Sequence, residues 1–264
     1  MSATTVRHPK GPPVDKSDRA AVPFLWAFFD SSVGAKVTVA LTGLGLVTFV
    51  IFHMIGNLKV FSGPDAINAY AHFLKHDLGL LLGIARAGLL AIFVLHLALA
   101  IRLTARSRAA RPVDYAYPGS VQATATSRTM IWSGVVVGLF VVFHLAHFTF
   151  AWVHGVEVQN PATGQWEWKN YLELTDAKGR HDVYSMMVAG FTTPWLSVLY
   201  IVAQFALFFH LLHGVQSSFQ TLGLKNGRFR HAIRLLGFTT AAVILIGNLA
   251  IVIGVWAGLA PPVH

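Results

Sequence analysis

Six histidines of this chain lie inside long apolar runs: His53, His96, His144, His147, His210 and His213. An ionisable side chain in such a setting is costly without a partner and points to function. A neutral imidazole offers one bare nitrogen to a metal and one N–H to an acceptor. Its possible chemistries are therefore metal ligation and proton relay. The chain has no cysteine, which excludes disulfides, thiolate-bound zinc and cysteine-ligated iron–sulfur clusters within it.

The elements that carry these residues follow from hydropathy. The 264 residues are 55% hydrophobic and 12% charged, whereas soluble domains carry about 25% charged residues. The mean hydropathy is +0.58. The expected fold is an all-α integral membrane protein with five transmembrane helices, at about 37–58, 78–101, 129–153, 193–217 and 235–256. Pro194 marks the entrance to the fourth span. Residues 1–20, polar and rich in Pro and Lys, read as a disordered cytoplasmic tail, and 21–264 as the membrane domain. Val22–Asp30 is aromatic but too short to span, so an interfacial position is expected; Asn68–His76 reads as a short surface helix. The net charge of +9 does not imply nucleic acid, because the basic residues sit in short loops between apolar runs. Arg102, Arg106, Arg108, Arg111 and Arg128 face one acid, Asp114, in the second loop; Lys225, Arg228, Arg230 and Arg234 face none in the fourth. The acids gather in the first loop and in the third, His154–Asp182. This asymmetry places the N-terminus in the cytoplasm. Trp152, Trp166, Trp168 and Trp195 fit an aromatic belt at the outer interface. Asn57, Gln204 and Asn248 are expected to hydrogen-bond between helices, and the pairs Gly79/Gly83, Gly134/Gly138 and Gly254/Gly258 permit close helix contact.

Topology gives each histidine a height. At 1.5 Å per residue, His53 lies about 25 Å above Lys36 and His144 about 24 Å above Arg128. The second and fourth spans return inward, which puts His96 about 9 Å and His210 about 10 Å from the inner edge. Two levels emerge, about 15 Å apart, each with one histidine from each of two helices. Paired imidazoles at matching depth are what bis-histidine heme ligation requires. Zinc fits less well, since a closed site takes four ligands at one height and the spans hold no carboxylates. His147 and His213 follow a candidate by three residues on the same helical face, so depth alone does not exclude them. Arg86, the one charge inside a span, lies near the level of His53 and His144, where a heme propionate is a suitable partner.

Four stretches carry a pattern: SSVGAKVTVALTGLGLVTFVIFHMIGNL at 31–58, ARAGLLAIFVLH at 85–96, SRTMIWSGVVVGLFVVFHLAHF at 127–148, and YIVAQFALFFHLLHGVQSSFQTLG at 200–223. The chain resembles the cytochrome b membrane-anchor subunit of bacterial succinate dehydrogenase/fumarate reductase, of the single-polypeptide, five-helix type. The resemblance implies a subunit of the bacterial cytoplasmic membrane. It would anchor flavoprotein and iron–sulfur subunits and pass electrons between them and quinone, commonly through two b-type hemes (heme b). It further implies axial ligation by His53 with His144 (outer heme) and by His96 with His210 (inner heme), with His147 and His213 in accessory contacts. Some relatives carry an acid in the first outer loop, linked to proton exchange at an outer quinone site; the nearest candidate here is Asp77, with no motif to fix the match. At the inner mouth of the first span, Ser31, Ser32 and Lys36 offer hydroxyls and a cation to a quinone carbonyl, or else serve as helix cap and interfacial anchor.

Three other readings remain open on the residues alone. One is the diheme anchor of another respiratory dehydrogenase, such as a hydrogenase or formate dehydrogenase. Another is a heme-free anchor. The third is a transporter that uses the histidines as a relay, although no inverted repeat is evident.

Overall fold

The computed structural model describes residues 24–110, 129–160, 162–224 and 227–261. The expected tail at 1–20, Arg111, Asp114, Arg128 and Lys225 lie outside the described residues. The described helices are α1 Phe24–Asp30, α2 Ser32–Asn57, α3 Pro64–His76, α4 Gly79–Ala109, α5 Met130–His144, α6 Val183–Thr192, α7 Pro194–Thr221 and α8 Arg230–Trp256. Five segments are long and apolar enough to cross a membrane: α2 with its 3₁₀ extension, α4, α5 with its π extension, α7 and α8. The chain is a multi-pass membrane protein.

The spans run past the expected ends wherever the flanking residues are good helix formers. α4 continues through Arg102, Arg106 and Arg108 to Ala109, and α8 begins at Arg230. Arginine has high helix propensity, and its long stem lets the charge leave the apolar zone. The third span is shorter than expected. α5 passes at Leu145–Thr149 into a π-helical turn, and the backbone then reverses at Ala151, whose φ is +46°. Asn170 donates to the carbonyls of Phe150 (3.2 Å) and Ala151 (3.1 Å), which holds this exit in place.

The third loop carries structure of its own. Strands β1 (Gly155–Gln159) and β2 (Trp166–Asn170) pair antiparallel, Glu157 opposite Trp168. This hairpin and α6 were not expected; the membrane part remains all-α. Val156 and Val158 alternate with polar residues at the strand period. Trp152, Trp166, Trp168 and Trp195 are all exposed, as an interfacial belt requires.

Packing is uneven. α7 and α8 form the broadest helix contact, and α2 leans on both α4 and α7. Gln204 and Asn248 join α7 to α8 at 2.9 Å, as expected. Asn57 instead bonds within its own helix, to His53. α7 and α8 bury eight residues each, whereas α4 buries only Leu99 fully and α5 none. The faces of α4 and α5 are therefore available to lipid or to a large apolar group. Gly79, Gly83 and Gly138 face open space and make no close helix contact; Gly134 and Gly254 abut side chains.

At the hairpin end, a polar clamp ties the third loop to α3. Asp65 receives Lys178 (2.6 Å) and Arg180 (2.7 Å), and Arg180 also reaches Asp176 (2.8 Å). Asp176 further accepts the backbone N–H groups of Lys178 and Arg180, both at 2.9 Å. Burial alone would raise the Asp176 carboxyl, but the Arg180 side chain and these amides outweigh it and hold it at about 2. Its folded pKa thus lies below the ordinary carboxylate value of about 3.9. The clamp is at full strength above that range and weakens as pH falls toward about 2. The fluorescence of Trp166 and Trp168 in this loop is expected to hold steady from pH 7 to 5 and to shift as the pH approaches 2.

Candidate functional site: paired histidines across the bundle

The backbones of α2 and α5 do not pack closely, yet His53 and His144 meet across them with ring centres 5.7 Å apart and planes at 89°. A metal–imidazole bond is about 2 Å, so one ion shared by two imidazoles sets their centres about 6 Å apart. His144 reaches its place from α5 and is held by Tyr200 of α7, whose hydroxyl lies 3.2 Å from Nδ1. Its Nε2 is thereby the nitrogen left for a ligand. His53 stacks on Phe49 at 5.3 Å, and the Asn57 side-chain amide stands 3.1 Å from its Nε2. An incoming metal would displace that amide.

The second pair lies toward the arginine-rich end. His96 of α4 places Nδ1 3.1 Å from the Val39 carbonyl and 3.2 Å from the Thr42 hydroxyl, both on α2. A carbonyl only accepts, so Nδ1 carries the hydrogen and Nε2 is bare. His210 of α7 repeats the device on α5. The Ser133 hydroxyl gives its hydrogen to the Met130 carbonyl at 3.0 Å and accepts from His210 Nδ1 at 3.3 Å. His96 and His210 lie within electrostatic reach of each other.

The ring sites share one further feature. A Cβ added at Gly43 would stand 3.2 Å from His96 Cε1, and one added at Gly134 would stand 3.2 Å from His210 Cε1. Each imidazole therefore lies against a glycine, beside the hydroxyl one residue earlier: Thr42-Gly43 and Ser133-Gly134. Gly134→Val is expected to push the His210 ring aside and to cost about 1–3 kcal/mol in overpacking. Thermal unfolding in detergent measures the second effect, and the optical spectrum of any bound chromophore measures the first.

His96 and His210 thus present a bare Nε2 with Nδ1 held by protein, the usual arrangement of a metal-ligating imidazole, and the Tyr200 hydroxyl allows His144 the same one. The donor set fits two bis-histidine heme sites, and the sparsely buried faces of α4 and α5 fit a flat apolar macrocycle. No cluster of three or more His, Cys, Asp or Glu that could hold a metal ion occurs among the described residues. Heme needs only two.

The remaining candidates separate. His147 is fully buried, with Nδ1 2.9 Å from the same Tyr200 hydroxyl and with Nε2 unpartnered among the described residues. His213 is half-buried one turn beyond His210. Arg86 is exposed on α4 and acts electrostatically on Lys75 of α3. Lys75 is held below its ordinary pKa, first by burial and then by Arg86. Ser31 caps α2: its hydroxyl donates to the Phe28 carbonyl (2.8 Å) and accepts the Gly34 N–H (2.9 Å). Ser32 and Lys36 are exposed at the same end, beside the ion pairs of Asp30 with Arg102 and Arg106. Asp77 is exposed at the end of α3.

Tyr200, which bonds both His144 and His147, is a residue of the candidate site that sequence reasoning missed. The signal was present. Tyr200 precedes His210 by ten residues on the same helix, so it lies about 15 Å from it along the axis, at the level of the other pair. A scan against family models and searches of characterised proteins and of solved structures find no match to this chain.

Proposed function

We propose that this chain is the membrane-anchor subunit of a succinate:quinone oxidoreductase, holding two b-type hemes and docking flavoprotein and iron–sulfur subunits. The observation that carries the reading is the meeting of His53 and His144 from two helices whose backbones stay apart. The matching second pair, His96 and His210, supports it. The hemes would carry electrons one at a time between the soluble subunits and quinone. The chain's own part would be to hold His96, His144 and His210 by Nδ1 with Nε2 turned inward, to set His53 opposite His144, and to keep water from the rings.

In this reading the hairpin end faces outward and the arginine end faces the cytoplasm, in keeping with the Arg/Lys bias of the loops. The arginine end would then receive the iron–sulfur subunit, across α1 and the Arg102–Arg106 segment. With the Ser31 hydroxyl committed to its cap, Ser32 and Lys36 are the groups there that can meet a quinone carbonyl. The membrane would be the bacterial cytoplasmic membrane. Lipid covers the bare apolar faces, and no nucleic acid is involved.

The dithionite-reduced minus oxidised spectrum of the purified complex tests this reading, with the copurifying subunits identified. A b-type signal with flavoprotein and iron–sulfur partners is the expected result. A different soluble enzyme would assign the chain to another respiratory dehydrogenase. A well-folded complex without the signal would overturn heme ligation. A second reading, a histidine relay, draws on the continuous contact from His144 through Tyr200 and His147 to His154. It requires substrate or proton flux in vesicles without a chromophore.

A further inference from the structure

Tyr200 makes an arrangement that simple packing does not explain. Its hydroxyl lies 3.2 Å from Nδ1 of His144 and 2.9 Å from Nδ1 of His147. A phenol has one hydrogen to give. It can donate to one of these nitrogens, and the other must donate to it. The two histidines are therefore tied to opposite tautomers.

Ligation decides which is which. If His144 offers Nε2 to a metal, its hydrogen is on Nδ1 and points at the Tyr200 oxygen. Tyr200 must then donate to His147 Nδ1, and the hydrogen of His147 moves to Nε2. That atom is fully buried and unpartnered among the described residues. His147 is packed so that it cannot turn away. Its ring stacks on Phe148 at 4.0 Å and 29°, lies 4.6 Å from the His154 ring, and sits where a Cβ on Gly190 would approach Nε2 to 3.1 Å. The π-helical turn at Leu145–Thr149 carries it; such turns recur at functional sites. Tyr200 itself is enclosed by the rings of Phe140, Phe143, Phe148 and Phe191.

We propose that Tyr200 and His147 form a positioning relay that fixes the tautomer of His144 and raises the basicity of its ligating nitrogen. The inference rests on the proposed ligation of heme by His144. The other pair is held differently: His96 and His210 donate to a backbone carbonyl and to the hydroxyls of Thr42 and Ser133, not to a phenol that bridges two imidazoles. The Tyr200 oxygen, by giving its own hydrogen to His147, becomes the stronger acceptor. A more basic axial imidazole favours the oxidised iron. The heme at His53/His144 is thereby set to a lower potential than it would have without the phenol.

Potentiometric titration of the complete complex tests this, with Tyr200→Phe as the first variant. The phenyl ring retains the aromatic contacts, so the b-type spectrum should persist. The potential of one heme alone should rise by about 59 mV for one electron, a tenfold lower oxidised-to-reduced ratio at fixed ambient potential. His147→Leu leaves Tyr200 able to accept but removes its acceptor, and should give a smaller shift of the same heme in the same direction. Ser133→Ala should move only the other heme. Unchanged potentials in both Tyr200→Phe and His147→Leu, or a shift confined to the heme that Ser133→Ala moves, would overturn the proposal. If Tyr200→Phe fails to fold, His147→Leu alone decides it. Wild-type protein without a b-type spectrum would defeat the functional reading itself, a different outcome from hemes that are present but indifferent to Tyr200.

Discussion

Replacing His144 with alanine is expected to lower the heme content from about two per chain to about one and to leave the second heme's spectrum intact. The remaining heme would be the one at His96/His210. His53→Ala should give the same spectrum as His144→Ala, because one imidazole cannot hold iron from both faces. His96→Ala and His210→Ala should form the complementary class. The separation follows from the supports of each pair. His144 is held by Tyr200 and His53 by Phe49 and Asn57, while His96 and His210 hang from Val39, Thr42 and Ser133. None of these supports is shared between the pairs. Pyridine hemochrome assay with the reduced spectrum reads both quantities. Four variants that fail to sort into these two classes would refute the pairing.

Asn68→Leu is expected to destabilise the hairpin end by about 3–5 kcal/mol, close to the upper range for a single substitution. Asn68 is 1% exposed and fully used. Its amide donates to Asp182 (3.1 Å) and toward Asp176 (3.4 Å), and its oxygen accepts the Tyr184 N–H (3.0 Å). Leucine fills a similar space but leaves two carboxylates and one buried amide short of a partner. That amide lies in the first turn of α6, whose N-cap Asp182 holds the Ser185 N–H at 3.1 Å. α6 also carries Gly190, against which His147 rests. Loss of Asn68 should therefore loosen the packing behind Tyr200 as well as the clamp. A fall of about 10 °C in the melting temperature in detergent is the expected result. An unchanged melt would place the weight of the clamp on the ion pairs instead. Of those pairs Asp65–Lys178 is exposed, at 68% and 63%, and contributes little, whereas Arg180–Asp176 is largely enclosed, at 13% and 15%, and would carry that weight.

Gly43 and Gly134 show how much of the site was open to sequence reasoning. The small-residue spacing singled out Gly134 but not Gly43, and the helix–helix contact expected from it does not form at Gly79, Gly83, Gly138 or Gly258. What approaches is an imidazole at Gly43 and Gly134, not a helix backbone, and nothing approaches Gly79, Gly83 or Gly138. Spacing fixes which face a glycine occupies, not what stands opposite. The hairpin was missed for a related reason. The alternation in GVEVQ and WEWKN is only five residues long on each side, and its strands gain their hydrogen bonds from each other. The shortened third span depends on the reversal at Ala151, a position where no glycine announces a positive φ.

By itself the sequence determined the number of spans, the location of four histidines on four of them, and their division into two levels. These are one-dimensional properties: hydropathy sums along the chain, and depth is residue number times a fixed rise. Only the tertiary structure decided which nitrogen His96 and His210 leave bare, because that depends on the acceptor a neighbouring helix brings to the other nitrogen. It also decided the unequal settings of His144, which meets His53, and His147, which is fully buried. The π turn and the hydroxyl of Tyr200 separate them, and Tyr200 reaches both from a helix that starts 50 residues after α5 ends.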